Sequence, residues 1–184
     1  MSIRACLIVN PETKPKMLAE SVDWIPLLWV PLMSSLDLAR IANRPYVHVD
    51  RKEAIERCAR ATPFLTTLFP EFDLTAVAED FVGRLRQLKT KAMAIEFRDH
   101  IALRPQIFLP CLSVAVAAIE AQDLNVRYVS PVIPTTNPFT GKSGKTKAMT
   151  FRITRDILCH ALSLDPVVDD DDIVRAQLVG DLWI

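Results

Sequence analysis

The clearest pattern in the chain is a stripe of hydrophobic residues at helical spacing between positions 74 and 88. Charged residues lie mostly off that stripe, so the segment predicts an amphipathic helix with one buried face. Asp73 directly precedes the stripe and is the predicted N-cap. The stripe consists of Leu74, Val77, Ala78, Phe81, Leu85 and Leu88, and the charged positions are Glu79, Arg84, Arg86 and Lys89.

A second helix is predicted after a capping-box pattern. Asp50 can accept free backbone N–H groups at the helix start, and Glu53 follows three residues later. We expect this helix to reach about Ala61, because Pro63 lacks a backbone N–H and disturbs the next turn. An apolar continuation follows and ends at Pro70.

Shorter apolar patterns predict further helices. One of them leaves almost no polar face and is therefore expected to be buried. A run of aspartates precedes the last one, where negative charge compensates the positive end of the helix dipole. The predicted spans are Ser35–Ile41, a buried helix Cys111–Gln122 after Pro110, Thr154–Leu162, and a last helix that reaches about Val179.

Three short segments rich in β-branched and aromatic residues predict strands: Ile3–Val9, Tyr46–Val49 and Met93–Phe97. A polar link, interpreted as a loop or a helical turn, follows the first strand. The apolar sequence DWIPLLWVPL comes next, and its two prolines exclude a regular helix interior. We therefore predict that it forms a buried extended segment or an edge strand.

A long β-hairpin is predicted near the C-terminal end. Apolar residues lie near alternating positions on both sides of a turn-rich segment that contains Asn137-Pro138 and two glycines. Together these elements predict a single compact globular domain of α/β (α+β) type over residues 1–184. We expect a mixed or antiparallel sheet with helices packed on it and the long β-hairpin beside it.

Composition narrows the function classes. Hydrophobic residues make up 50% of the 184-residue chain and charged residues 24%, which is typical of one globular core. Basic and acidic residues balance at 22 each, so net charge gives no argument for nucleic acid or an anionic membrane. The longest apolar runs are far shorter than the ~20 residues that a membrane-spanning helix needs.

The cysteines and acidic residues do not form a metal-site pattern. Cys6, Cys58, Cys111 and Cys159 are widely spaced, with no Cys-x-x-Cys pair and no adjoining histidine cluster. We interpret them as reduced thiols of a cytoplasmic protein. Consecutive aspartates cannot all converge on one cation, so we expect neither a metal nor a cofactor.

The sequence FTGKSGKT at positions 139–146 superficially resembles a phosphate-binding loop. Such a loop needs a glycine five positions before its Gly-Lys pair, and the chain has Phe139 and Thr136 at the two possible places. The residues that follow alternate like a strand and do not begin a helix. The segment therefore predicts a positively charged hairpin tip and not a nucleotide site.

Two charged surfaces are the predicted partner-binding sites. The basic one is the hairpin tip, and the acidic one precedes the last helix. Either could steer the encounter with a protein of complementary charge. The predicted binding residues are Lys142, Lys145 and Lys147, together with Asp169, Asp170, Asp171 and Asp172.

Two alternatives stay open. An enzyme could assemble its site from dispersed residues, with His48, His100 and Cys159 as the candidates, although no local catalytic motif supports it. Nucleic-acid binding, which we do not favour, would require the hairpin lysines to share one face with basic residues elsewhere. Those basic residues are Arg84, Arg86 and Arg152.

Three segments of the chain, IPLLWVPLMSSLDL, FVGRLRQLKTKAMAIE and NPFTGKSG, resemble small bacterial immunity proteins found beside polymorphic or contact-dependent toxins. The resemblance covers Trp24–Glu96 and the hairpin. It implies a non-enzymatic, single-domain protein that neutralises a cognate toxin by direct binding. Trp183 at the C-terminus predicts docking on the domain body or on another subunit, which leaves a homo-oligomer open.

Overall fold

The computed structural model describes residues 4–39, 46–98, 105–128 and 149–181. Its strands form two separate sheets. The larger sheet has four strands in the spatial order β2-β1-β4-β3, and the smaller one pairs β5 with β6. The strands are β1 (Arg4–Val9), β2 (Lys16–Val22), β3 (Tyr46–Asp50), β4 (Ala92–Arg98), β5 (Asn125–Tyr128) and β6 (Met149–Arg152).

Every strand pair is antiparallel, which decides between the two predicted sheet types. β1 lies in the middle of the larger sheet, with Cys6 opposite Glu20 on one side and opposite Glu96 on the other. A register shift between Leu7 and Ile8 marks an irregularity in the pairing with β2. β5 and β6 pair from Asn125 opposite Arg152 to Tyr128 opposite Met149. This pairing confirms the two strands at the base of the predicted hairpin.

The segment predicted as a polar link is instead the edge strand β2. Its residues Lys16 and Glu20 made it look like a solvated loop, yet Leu18 and Ala19 are fully or almost fully buried. Pairing with β1 is a contact between separate segments, and local polarity does not reveal it. The prediction of a loop or helical turn at these positions was wrong.

Helices pack on one face of the four-stranded sheet. A large hydrophobic core lies between the helices and this face and includes residues of β1, β3 and β4. Cys6, Ile8 and Ala94 form a second, smaller cluster. The predicted α+β class, with helices packed on an antiparallel sheet, is therefore confirmed. The helices are α1 (Ser35–Ala39), α2 (Arg51–Leu68), α3 (Leu74–Gln87), α4 (Pro105–Ala121), α5 (Arg155–Leu162) and α6 (Asp171–Val179), with a 3₁₀ helix over Leu27–Leu32.

The 3₁₀ helix corrects the predicted extended segment. Trp29 donates its backbone N–H to the Pro26 carbonyl, and Met33 donates to Val30. Short turns of this kind tolerate Pro31, because few of their backbone N–H groups are needed. All six of its residues are buried, so the prediction was right about burial and wrong about conformation.

Two helices extend further than the sequence predicted. α2 continues through Pro63 to Leu68, because Leu65 is fully buried and the apolar stripe continues past the proline. α4 begins at Pro105, several residues before the predicted start at Pro110. Proline at the first helical position is favourable, so Pro105 is the better start signal.

Side-chain hydrogen bonds cap two of the predicted helix starts. Asp50 accepts the Glu53 N–H at 3.1 Å, and Thr154 accepts the Ile157 N–H at 3.2 Å. Asp73 is the N-cap residue of α3, but its side chain makes no capping bond.

The C-terminal segment is fixed against the 3₁₀ helix and the edge of the sheet. Trp29 donates its indole N–H to the Val179 carbonyl at 2.9 Å. Asp181 and Glu20 exchange two backbone hydrogen bonds of 2.7 Å, which extends the sheet by one residue beyond β2. Gly180 adopts φ +83° between these contacts.

Candidate functional site

A groove opens on the surface between α2 and α3. The two helices are joined by the segment 69–73 and pack together as a helical hairpin. Their outer faces enclose a volume of about 600 Å³. The α2–α3 groove is lined by Ala59, Thr62, Pro63 and Thr66 from α2 and by Thr75, Ala78, Glu79, Val82 and Arg86 from α3.

The α2 wall of the groove follows from the positions left over by the core. Core residues Ala54, Cys58, Ala61 and Leu65 occupy one stripe of α2. Groove residues 59, 62, 63 and 66 have a similar helical spacing and lie on the face of α2 next to this core stripe. These residues are proline or have small side chains. The two helices therefore leave a depression that larger side chains would fill.

The groove is apolar although it contains threonines. Thr62 donates its hydroxyl to the Cys58 carbonyl at 2.7 Å, and Thr66 donates to the Thr62 carbonyl at 2.8 Å. Because both hydroxyls are bonded to backbone carbonyls of α2, the methyl groups of the two threonines are left for apolar contact. Ala78 and Val82 add an apolar floor.

Pro63 leaves one polar group in the α2 wall without its helical partner. In a regular helix the N–H of residue 63 would bond the carbonyl of Ala59, but proline has no N–H. Ala59 and Pro63 are both exposed and both line the groove. The Ala59 carbonyl is therefore an acceptor that a bound molecule or water can use.

Two exposed charged residues border the groove on α3. Glu79 and Arg86 lie two helical turns apart, about 10 Å along the helix axis. Within the described residues, neither makes an ion pair, whereas the neighbouring Asp80 accepts from Arg84 at 3.1 Å and from Arg175 at 3.4 Å. One acidic and one basic side chain thus remain available at opposite ends of the same wall.

A smaller cavity of about 110 Å³ lies where the 3₁₀ helix, α2 and α4 meet. Its polar side is built around Arg57, which donates to the Leu32 carbonyl at 3.1 Å, to Asp37 at 3.0 Å and to Glu53 at 2.7 Å. Through these bonds the Arg57 guanidinium connects the 3₁₀ helix, α1 and α2. We interpret this cavity as part of the scaffold and not as a ligand site.

Neither the groove nor the smaller cavity is lined by a histidine or a cysteine. The groove offers apolar surface, a backbone acceptor and two charges, which suit binding. It brings together no nucleophile and base of the kind that catalysis requires. Among the described residues, no group of three or more potential ligands is placed to hold a metal ion.

The predicted acidic surface lies at the start of α6. Asp170 is the N-cap and accepts the backbone N–H groups of Asp172 at 3.0 Å and Ile173 at 3.3 Å. Asp169, Asp171 and Asp172 are exposed, and the last two occupy the first turn. The fold thus explains Asp170, while the other three carboxylates remain candidates for partner binding.

Several predicted residues lie outside the part of the chain that the structure describes. They are Lys142, Lys145 and Lys147 of the predicted hairpin tip, together with His100 and Trp183. The roles that the sequence predicts for them therefore stay predictions.

The remaining enzyme candidates, His48 and Cys159, line neither of the two cavities described above. His48 lies on β3, with its side chain 46% exposed and its Nε2 3.5 Å from Glu12 Oε1. His160, the other histidine in the described part of the chain, is exposed on α5. Cys159 is buried in the hydrophobic core, and burial raises the pKa of its thiol in spite of the nearby Arg155 guanidinium. Such a thiol is protonated at neutral pH and is a poor nucleophile.

All four cysteines are free, as predicted. Burial is the main cause that raises the pKa of each thiol, and it raises the pKa of Cys58 to about 12. Cys58 and Cys111 lie on helices, where a free cysteine packs as a small apolar residue.

The basic residues named for nucleic-acid binding are divided among different settings. Arg84 pairs with Asp80, and Arg86 borders the α2–α3 groove two helical turns from Glu79. Arg152 is exposed on β6, in the two-stranded sheet. Acidic side chains therefore interrupt the α3 part of the proposed basic face, which weakens the electrostatic argument for a phosphate backbone.

Sequence reasoning missed the groove. The available signal was the series Ala59, Thr62, Pro63 and Thr66, which are small or constrained residues at helical spacing on the face of α2 beside its core stripe. That series becomes a groove only after α3 packs beside it, and the predicted helix break at Pro63 hid it.

No family model matches the sequence, and no curated protein or solved structure matches the chain. Within the described residues, no helix combines the length and the apolar character that crossing a membrane requires. The candidate function therefore rests on the geometry of the α2–α3 groove and on the charges around it.

Proposed function

We propose that this protein is a protein-binding domain and that the α2–α3 groove receives an apolar segment of its partner. The observation that carries the proposal is an open, largely apolar volume of about 600 Å³. Exposed apolar depressions between helices of this kind mark sites where a partner inserts side chains. Groove residues Ala59, Pro63 and Thr75 are exposed, so a partner can reach it.

The charges around the groove fit this proposal. Arg175, in the middle of α6, bonds Asp80 of α3, which places α6 beside α3. Asp171 and Asp172 lie about one turn before Arg175 and are exposed. They supply negative charge on that side, where it can steer a partner with a basic surface toward the groove.

The narrower proposal is an immunity protein whose partner is a cognate bacterial toxin. It rests on the resemblance of the segments quoted from the sequence, and the groove supplies a surface that such a binder could use. The charged tip at Lys142, Lys145 and Lys147 would add a second contact surface in this case. A toxin-like gene beside the gene for this chain would identify the partner.

The test places a photo-cross-linking amino acid at Thr75, in the groove, and at Val167, which is 84% exposed in a loop before α6. The partner-binding proposal predicts a discrete protein adduct in native cells from Thr75 and not from Val167. The adduct should disappear when Ala59→Trp fills the groove. It should persist in the matched variant Ala76→Trp, because Ala76 is exposed on α3 but does not line the groove.

Equal adducts from both cross-linker positions, or an adduct that survives Ala59→Trp, would contradict the assignment of the groove. For the narrower proposal, the chain is co-expressed with the neighbouring toxin. Growth should be restored by the wild type and by Ala76→Trp, and it should be lost with Ala59→Trp.

A further inference from the structure

We infer that the occupant of the α2–α3 groove is an amphipathic α-helix of the partner, antiparallel to α3, with an acidic residue seven positions before a basic one. This inference rests on the proposed function and adds the conformation, direction and charge order of the partner segment. It follows from the shape of the groove, from its small residues and from the order of its two free charges.

The shape of the groove fits a helix. Its α2 wall extends over residues 59–66 and its α3 wall over residues 75–86, which are about two and three helical turns. A third helix laid between them would complete a three-helix packing unit. Small side chains such as Ala59, Thr62 and Thr75 allow a helix to approach closely, with apolar anchors at positions i, i+4 and i+7.

The two charges on the α3 wall set the direction of that helix. Glu79 favours a basic residue opposite it, and Arg86, two turns later, favours an acidic residue. A helix antiparallel to α3 begins near Arg86 and ends near Glu79. It would then carry its acidic residue toward its N-terminus and its basic residue toward its C-terminus, which its own dipole also favours. A parallel helix would need the opposite, unfavourable order.

The Ala59 carbonyl adds one directed contact. Because Pro63 cannot bond it, a partner side chain with an N–H or O–H group can donate to it from within the groove. The inferred segment is therefore about three turns long, apolar along one face, with one donor in that face and an acid-to-base order along its flank.

The experiment is a selection from a yeast-displayed library of amphipathic helices of about 16 residues, in which the apolar face is fixed and the flanking positions are random. Selected on the wild-type chain, the peptides should be enriched in Asp or Glu seven positions before Lys or Arg. Selected on Glu79→Lys/Arg86→Glu, they should show the reverse order. Both substituted residues are exposed, and circular dichroism would verify that the fold is kept.

Individual peptides then give a matched comparison. A peptide with the acid-to-base order should bind the wild type about fivefold more tightly than the same peptide with the two charges exchanged, at low salt. The preference should disappear in 0.5 M salt, because exposed charges are screened. Ala59→Trp should abolish binding of both peptides, and Ala76→Trp should not.

Three results would overturn the inference. One is enrichment that is equal on wild type and Ala59→Trp, and another is enrichment without a charge order. The third is a self-association that Ala59→Trp abolishes, because the occupant would then be a second copy of the chain. A groove-dependent cross-link at Thr75 without any charge order would refute this inference and leave the proposed function standing.

Discussion

Gly180 shows how a single residue without a side chain permits the close approach of two distant parts of the chain. A Cβ atom at this position would lie 2.7 Å from Cζ2 of Trp29 and 3.0 Å from the Glu20 carbonyl oxygen. Its φ of +83° is also a conformation that L-residues with side chains rarely adopt. Steric contact and backbone conformation therefore both require glycine here.

Substituting Gly180→Ala should lower the free energy of unfolding by about 2–4 kcal/mol, because the new methyl group clashes with the buried Trp29 and the backbone is strained. Urea unfolding followed by tryptophan fluorescence would measure it. Gly83→Ala is the matched control: no atom lies within 4 Å of a Cβ added in the middle of α3. That control should gain about 0.5–1 kcal/mol. Equal effects of the two substitutions would refute the steric argument.

At the scale of elements, local signals located the helix starts well. Asp50 was predicted as a cap and a helix start was predicted at about Thr154, and both side chains make capping bonds, because capping depends only on neighbours in the chain. The edge strand β2 and the 3₁₀ helix were missed, since their conformations depend on pairing and packing with distant segments. The α2–α3 groove was missed for the same reason.

Pro63 is a local signal that misled the prediction: a helix break was predicted there, and α2 continues through it. Leu65 is fully buried beyond it, and the gain from that burial offsets the lost hydrogen bond. Helical propensity was therefore overridden by packing in the core.

Replacing Pro63→Ala should raise the free energy of unfolding by about 1–3 kcal/mol, because the new N–H can bond the Ala59 carbonyl. Thermal and urea unfolding would measure this, with Pro70→Ala as the control outside the helix. The same variant should bind the partner helix more weakly, since the free acceptor in the groove is gone. Stabilisation without any change in affinity would show that the Ala59 carbonyl takes no part in binding.

At the scale of the whole molecule, the C-terminal segment connects parts of the chain that are distant in sequence. Trp24 donates its indole N–H to the Ala176 carbonyl at 3.1 Å, and Trp29 donates to Val179. The Gln177 side chain is 2% exposed and bonds both the N–H and the carbonyl of Asp165. Arg175 of the same helix pairs with Asp80 of α3.

Because these contacts all meet on α6, its removal should disrupt the whole fold and not only the C-terminal end. A chain that ends at Asp170 would expose Trp29 and the edge of β2, together with their unsatisfied polar groups. We expect this truncated chain to lose its near-ultraviolet circular dichroism and to bind the dye ANS, while keeping much of its helix content.

Adding a peptide of residues 171–184 should restore the near-ultraviolet signal, since it supplies the missing contacts to Trp24, Trp29 and Glu20. The matched peptide with Gly180→Ala should restore it at least about tenfold less effectively, because the added methyl group meets Trp29. Photo-cross-linking at Thr75 should recover together with the fold, since α3 packs beside α6 and shares the hydrophobic core with it. A truncated chain that keeps cooperative unfolding would show that α6 is an independent appendage and that the groove is stable without it.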